Sequence, residues 1–464
     1  MLKRVAVVSI APILPGAVHG GSQRILDGVL HGLAEAGADV RVVCSWRPEN
    51  DGGFQPAPHV SVEPLLRLTG YFPDPWEVAP HRILQSAEAI APVFEWAESI
   101  YLHADTFYLR DMVPHGRRVV RSFHDFHYET ALISAFGFDA DHTIVPSEYL
   151  KRCIDATAGA LPDGHSGPVS VVPNGIDLDI YRPRPGVIPR GVRERGENDL
   201  VLLWPHRPDT RKGILEAIQI TGEVAGQLPD RHIRLLVPQH VDAESSPETR
   251  AFYDEAVTAA IKEGVIESLE FTPWWNEEET ANAYSFADVT VCPGNFIESF
   301  SLVAYESLAC GTPVVAAAVG ALRDLPDHPG VHLFPWGDAA AGSQATINAA
   351  DGMIDVDGLR AILAQRYSFT TMQRGYVEAI TGDAMPADDA PISQGHTYSL
   401  APWCAVSGDR VYHDYESGWS TRPELTEFMA NAGQYFSLSH AATANVPTEQ
   451  IEAAIRDGVI VRRT

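Results

Sequence analysis

The sequence predicts an α/β protein of two doubly wound, Rossmann-like domains followed by a small α+β module. Three observations carry that prediction. An apolar run at residues 5–10 leads through a glycine-bearing loop into an amphipathic helix, the opening of a doubly wound sheet. The same order of strand, loop and helix begins again at residues 200–214. Between the two, residues 181–198 hold three prolines and many charges and read as a linker. At 464 residues the chain has room for two or three domains, each with its own core.

In the first domain, the opening run is short and lacks a cleavage-site pattern, so a buried strand explains it better than a secretory leader. Gly20 and Gly21 follow, and then Leu26, Val29, Leu30 and Leu33 at helical spacing. The glycine pair suits close approach of a phosphate or sugar; ordinary turn glycines are the plainer alternative. Residues 40–44 and 60–64 read as strands, and residues 46–80, rich in Pro and Gly, as an irregular acceptor-side insertion. A helix at 80–96 precedes strands at 99–103 and 118–123. The latter runs into His124, Asp125 and His127, at the carboxyl edge where open α/β sheets bind ligands. A histidine there hydrogen-bonds either a substrate or the neighbouring backbone; His103 is a further candidate. Ser147 is placed to cap a helix, and a strand at 169–173 ends in the turn residues Asn174 and Gly175.

The second domain opens with a strand at 200–204 and a loop bearing Arg207, Arg211 and Lys212 ahead of a helix from Ile214. Cations five apart before a helix start converge on a diphosphate, or form a solvated basic turn. Strands at 233–238 and 269–272 flank a helix at 249–264. Trp274 and Trp275 offer either a base-stacking surface or a packed aromatic corner. A helix at 277–286 then delivers the strand at 288–293.

Residues 296–316 are the chemically richest stretch. A loop holding Glu298 opens a helix that carries Glu306 about two turns in, and Gly311, Thr312 and Pro313 stop that helix before a strand. A loop carboxylate accepts sugar hydroxyls, and free N–H groups of a helix start bind phosphate. Two glutamates eight apart also occur on many amphipathic helices.

As a whole, the string at 296–316 resembles the E-x7-E signature of the retaining GT-B glycosyltransferases of family 4 (glycosyl transferases group 1). The segment 171–177 and the Arg-x4-Lys-Gly of Arg207 to Gly213 are similar to further elements of that family, and the resemblance covers roughly residues 1–380. It departs at Ser301, where the family usually has glycine after Phe300. The resemblance implies a GT-B fold with the site between two domains, at 1–185 for the acceptor and 186–380 for the donor. It implies that His124, Arg207, Lys212 and Glu298 serve catalysis, and that Gly20, Gly21, Phe300, Ser301, Leu302 and Glu306 bind a nucleoside-diphosphate sugar. Arg207 and Lys212 would hold the diphosphate, Glu306 the ribose and Glu298 the donor sugar. Residues 320–323 would form a second loop beside the donor, and residues 367–380 the closing helix. The nucleotide sugar is then a co-substrate, with no cofactor and no metal required.

Beyond the resemblance, residues 381–395 read as a linker and 396–464 as a small winged-helix-like module with a strand at 410–415, a helix at 423–431, a helix capped by Thr448 and a strand at 459–461. Its acidic residues point to dimerisation or partner docking rather than DNA. A net charge of −27 gives nucleic acid or an anionic membrane no electrostatic help. Five scattered cysteines read as reduced, mostly buried thiols of a cytoplasmic protein, and the excess of Arg over Lys suggests a GC-rich bacterial source. Three D-x-D triplets, at 139–141, 177–179 and 355–357, lack companion ligands and read as chance. The acceptor expected is a small soluble molecule such as a secondary metabolite. The alternatives are another enzyme on the scaffold, such as a sugar epimerase or phosphorylase, and a non-catalytic partner-binding relative.

Overall fold

The computed structural model describes residues 3–16, 20–68, 79–104, 112–126, 128–137, 140–159, 167–243, 245–382, 397–444 and 446–463. It divides into two compact units, residues 1–175, 369–402 and 428–464 in one, and 176–368 with 403–427 in the other.

The first unit is built on eight strands: β1 (Arg4–Ser9), β2 (Asp39–Ser45), β3 (Phe54–Ala57), β4 (Val60–Leu66), β5 (Ser99–His103), β6 (Arg118–Ser122), β7 (His142–Val145) and β8 (Val169–Val171). Their order is β3-β4-β2-β1-β5-β6-β7-β8, parallel except for β3 against β4. Helices α1 (Gly20–Glu35), α2 (Pro80–Trp96), α3 (Glu129–Phe136) and α4 (Glu148–Ala158) connect them. Alternate residues of β1 enter opposite cores, Val5 and Val7 on one side, Ala6 and Val8 on the other. Both faces are therefore covered, which is why the strand reads as an unbroken apolar run. Ser147 caps α4 as expected, accepting from Leu150 N–H at 3.1 Å. The strand expected at 60–64 is β4, and the stretch around it, expected to be irregular, also contains β3, paired antiparallel with β4; the alternating burial of β4 marks a strand with one covered face. Residues 69–78 of it lie outside the described residues.

The second unit holds β9 (Asp199–Leu203), β10 (His232–Gln239), β11 (Leu269–Pro273), β12 (Val289–Cys292), β13 (Val314–Ala317) and β14 (Val331–Phe334), all parallel, in the order β11-β10-β9-β12-β13-β14. Helices α5 (Ile214–Gln227), α6 (Pro247–Lys262), α7 (Glu277–Phe286), α8 (Leu302–Ala309), α9 (Ala339–Asp351) and α10 (Val356–Arg366) cover it. Val201 and Leu203 join one core, Leu200 and Leu202 the other.

The boundaries differ from those expected. Ile176 and Tyr181 pack in the core of the second unit, so that unit begins ten residues before position 186. The closing helix, α11 (Phe369–Thr381), belongs to the first unit. Met372, Tyr376, Ala379 and Ile380 share a core with Val5 and Val29, and Gln373 Nε2 donates to Gly28 O at 3.1 Å. The linker expected at 381–395 lies outside the described residues from 383 onward.

Nor do residues 396–464 form one module. Strands β15 (Thr397–Leu400), β19 (Phe436–Ser437) and β20 (Ile460–Arg463) make a small antiparallel sheet ordered β19-β15-β20. Strands β16 (Cys404–Ser407), β17 (Arg410–His413) and β18 (Gly418–Thr421) make a second, which lies in the other unit. The division has a packing cause: Tyr412 is buried in the same core as Leu202 and Val315. Helices α12 (Pro423–Ala432), α13 (Leu438–Thr443) and α14 (Thr448–Arg456) complete the chain. Thr448 is the first helical residue of α14, not its cap; that place falls to Pro447.

Candidate functional site

In an open parallel sheet, ligand sites form where strand order reverses, because the two loops there turn away from each other and leave a crevice. The second unit reverses between β9 and β12. The loop after β9 carries Arg207, Arg211 and Lys212; the loop after β12 carries Phe296, Glu298 and Ser301. Glycine lets the two backbones meet. A Cβ on Gly294 would fall 2.1 Å from Arg211 O and 2.4 Å from the Lys212 carbonyl carbon, and one on Gly213 would fall 2.4 Å from Gly294 N. Gly213 also has φ +82°, a conformation glycine adopts freely. The contact is stapled by Phe296 N–H donating to Arg211 O at 2.8 Å.

That approach brings together side chains 86 positions apart. Lys212 Nζ donates to Glu298 Oε1 at 2.6 Å, with side-chain exposures of 12% and 16%. The Phe296 ring lies beneath the cations, its centroid 3.5 Å from Lys212 Nζ, 4.9 Å from Arg211 Cζ and 6.0 Å from Arg207 Cζ. Arg211, whose direction the sequence left open, turns to Asp209 at 3.0 Å. Arg207 stays exposed. His206 is buried edge-on to Trp204, and burial, reinforced by Lys212, drives its pKa down to about 3, so it is neutral beside the cations.

The start of α8 explains the departure at Ser301. This residue has φ +75° and ψ +78°, the left-handed region that glycine occupies without cost. Its side chain makes no capping bond to α8, and its buried hydroxyl has no hydrogen-bond partner among the described residues. The first-turn N–H groups of Leu302 and Val303 thus lack a side-chain cap, as an anion site at a helix start requires. A non-glycine residue held here stores about 1–3 kcal/mol of strain. Ser301→Gly is accordingly expected to raise stability by about 1 kcal/mol, read as a higher urea midpoint at unchanged slope. A lower midpoint would show that the serine hydroxyl is worth more than the strain.

Because α8 begins only at Leu302, Glu306 lies little more than one turn in, not two. Glu306 is buried, and Tyr284 OH donates to its Oε2 at 3.2 Å. The ring of Phe300 is stacked on Tyr305 at 4.4 Å within the core, so what it presents outward is backbone. Behind Glu298 sits the turn Gly320–Asp324, whose Ala321 N–H donates to Glu298 O at 2.8 Å. Trp275 is the packed aromatic of its pair, buried with its Nε1 donating to Arg190 O at 3.0 Å; Trp274 lies edge-on to His240.

The first unit reverses between β1 and β5. Gly20 and Gly21 begin α1 there, both exposed, Gly20 at φ +82°. Next to them Ser22 Oγ meets His103 Nε2 at 2.9 Å, and Tyr101 OH joins His103 Nδ1 at 2.9 Å to Ser122 Oγ at 2.8 Å. Ser122 Oγ in turn meets His124 Nε2 at 3.2 Å, and the two histidine rings lie 4.6 Å apart. Burial lowers the pKa of His124 to about 4, and burial and the neighbouring ring push His103 down too. His124 is therefore a neutral hydrogen-bonding group at pH 7. His127 lies outside the described residues.

Two of the D-x-D triplets have local structural work. Asp177 accepts from the N–H groups of Asp179 and Ile180, and Asp355 caps α10. Asp139 lies outside the described residues, among which no His, Cys, Asp or Glu cluster suits a metal ion. All five cysteines are buried, with no disulfide among them, and no described helix is long and apolar enough to cross a membrane. Sequence reasoning missed Phe296, Tyr284, Ser22 and Gly294. Each acts through a partner remote in the chain, so no local pattern announces it.

Comparison with known proteins identifies the family. The Glycosyltransferase Family 4 profile matches residues 19–180, and the Glycosyl transferases group 1 profile matches residues 209–351. A D-inositol 3-phosphate glycosyltransferase of Mycobacterium sp. (strain KMS) is 33% identical over 184 residues, which is 40% of this chain and 38% of that protein. The matched stretch thus spans well under half of that relative's length. Among solved structures, a sucrose-phosphate synthase from Thermosynechococcus elongatus superposes with a TM-score of 0.56 at 20% identity, covering 82% of this chain and 94% of that one. Anabaena Alr3699/HepE, solved in complex with UDP and glucose, gives a TM-score of 0.57 at 17% identity, covering 82% and 99%. With a profile of the family on each unit and this fold over 82% of its length, the chain belongs to the GT-B group 1 glycosyltransferases.

Proposed function

We propose that this protein transfers a sugar from a nucleoside-diphosphate sugar to a small soluble acceptor, with retention of anomeric configuration. The observation that carries the proposal is the Lys212–Glu298 pair, held at the strand-order reversal beside the uncapped start of α8. It supplies in one place a cation, a sugar-binding carboxylate and backbone N–H donors. In this reading Arg207, Lys212 and the amides of Leu302 and Val303 take the diphosphate, and stabilise the charge that grows as the bond to the sugar breaks. Glu306, oriented by Tyr284, accepts from the ribose hydroxyls, while Glu298 accepts from the donor sugar. The C1–O bond to the diphosphate breaks as the acceptor oxygen attacks the same face, and the acceptor proton passes to the departing phosphate. His124, kept neutral by burial, is assigned a hydrogen bond to a substrate hydroxyl. No metal or cofactor is assigned a role.

The names of the relatives support the substrate classes. One curated relative is named for D-inositol 3-phosphate, and one structural neighbour was solved in complex with UDP and glucose. A role in bacterial secondary metabolism is proposed on the soluble-acceptor reading alone. The test is thermal shift against a panel of nucleoside diphosphates, UDP first. A ligand at ~100 times its Kd adds about 2.7 kcal/mol of stability, a clear rise in Tm. A selective shift identifies the donor class; no shift with any of them discards the proposal.

A further inference from the structure

We propose that Asp414, in the appended β16-β17-β18 sheet, is a positioning residue for the sugar end of the donor site. The inference rests on the function proposed above. Asp414 follows β17 and is fully buried. Its Oδ2 accepts from Gly320 N–H at 3.3 Å, and its carboxylate receives both terminal nitrogens of Arg323, Nη1 at 2.9 Å to Oδ1. The same Nη1 donates to Ala318 O at 2.9 Å. One carboxylate from the C-terminal stretch thus grips both arms of the Gly320–Asp324 turn.

That turn touches the site directly. Gly320, at φ +56°, lies so close to Glu298 that a Cβ would fall 2.7 Å from Glu298 O and 2.9 Å from Glu298 N. Ala321 N–H donates to the same carbonyl at 2.8 Å. The backbone of Glu298 is therefore packed against a turn whose other side is held by Asp414. The appended sheet is itself seated away from the turn, by Tyr412 in the core and by Trp419 Nε1 donating to Trp336 O at 2.9 Å. A paired guanidinium–carboxylate fork fixes direction as well as distance. Removing it loosens Glu298, while Lys212 stays anchored by the Gly213–Gly294 contact and Phe296.

The experiment compares nucleoside-diphosphate and nucleotide-sugar binding, together with steady-state kinetics, in the full chain and its variants. Asp414→Asn and Arg323→Lys break the fork from opposite sides. Both are expected to weaken nucleotide-sugar binding and kcat/KM on the order of 10-fold or more, the scale of a small misplacement of a contact group. Nucleoside-diphosphate affinity should stay close to wild type. Trp419→Phe loosens the appended sheet without touching the turn, so it should lower Tm and leave the two affinities in their wild-type ratio. The inference is overturned if Asp414→Asn and Arg323→Lys both keep that ratio, or if Trp419→Phe changes it equally. Should the wild-type protein bind no nucleoside diphosphate, the functional proposal fails first and takes this one with it.

Discussion

Replacing Glu298 or Lys212 by alanine is expected to reduce turnover by ~10²-fold or more in each case, the scale of losing one preorganised transition-state contact. The two side chains hold each other at 2.6 Å in a largely enclosed place, so each variant also releases the partner's geometry. Lys212 is further fixed by the Phe296 ring below it. Their effects should therefore be strongly non-additive, the double variant costing little more than either single one. Steady-state kinetics with the nucleotide sugar chosen by the thermal-shift panel provide the measurement. Near-wild-type rates in both single variants would remove these residues from the site.

Gly294→Ala is expected to destabilise the second unit by about 3 kcal/mol or more, at the upper end of overpacking costs. The new methyl would meet main-chain atoms at 2.1 and 2.4 Å, and backbone held in the 3-10 turn Thr210–Lys212 cannot rotate away as a side chain does. Separation of the two loops would also part Lys212 from Glu298, so the nucleoside-diphosphate shift should vanish with the stability. Gly226→Ala is the control. That glycine lies in α5 with nothing within 4 Å of an added Cβ, so alanine should add up to ~1 kcal/mol. Urea unfolding of both variants decides the matter, and equal midpoints would refute the backbone contact.

Much of this architecture was legible in the chain itself. Helix α7 begins at Glu277, where Asn276 and Glu279 form a capping box, and α4 follows its serine cap. The four residues of β12 and of β13 are all buried, which is what a short apolar run in a two-faced parallel sheet encodes. The E-x7-E stretch and the Arg-x4-Lys pair were visible as chemistry, although nothing in either reported that they touch. Ser301 was visible only as an odd substitution, and its left-handed backbone turns that oddity into a measurable strain.

What the sequence by itself determined is the alternation of strand and helix, most of their ends, and the residue types gathered at the loops. These follow from periodicity and capping, which act over one or two turns of chain. Tertiary structure alone decided which loops meet, through Gly213 and Gly294, and which unit receives each C-terminal strand. It also decided that α11 returns to the first core and that Asp414 reaches the turn behind Glu298. An apolar stripe specifies that a face will be covered but carries no label for the surface that covers it. That choice is made by shape and by buried hydrogen bonds between residues far apart in the chain.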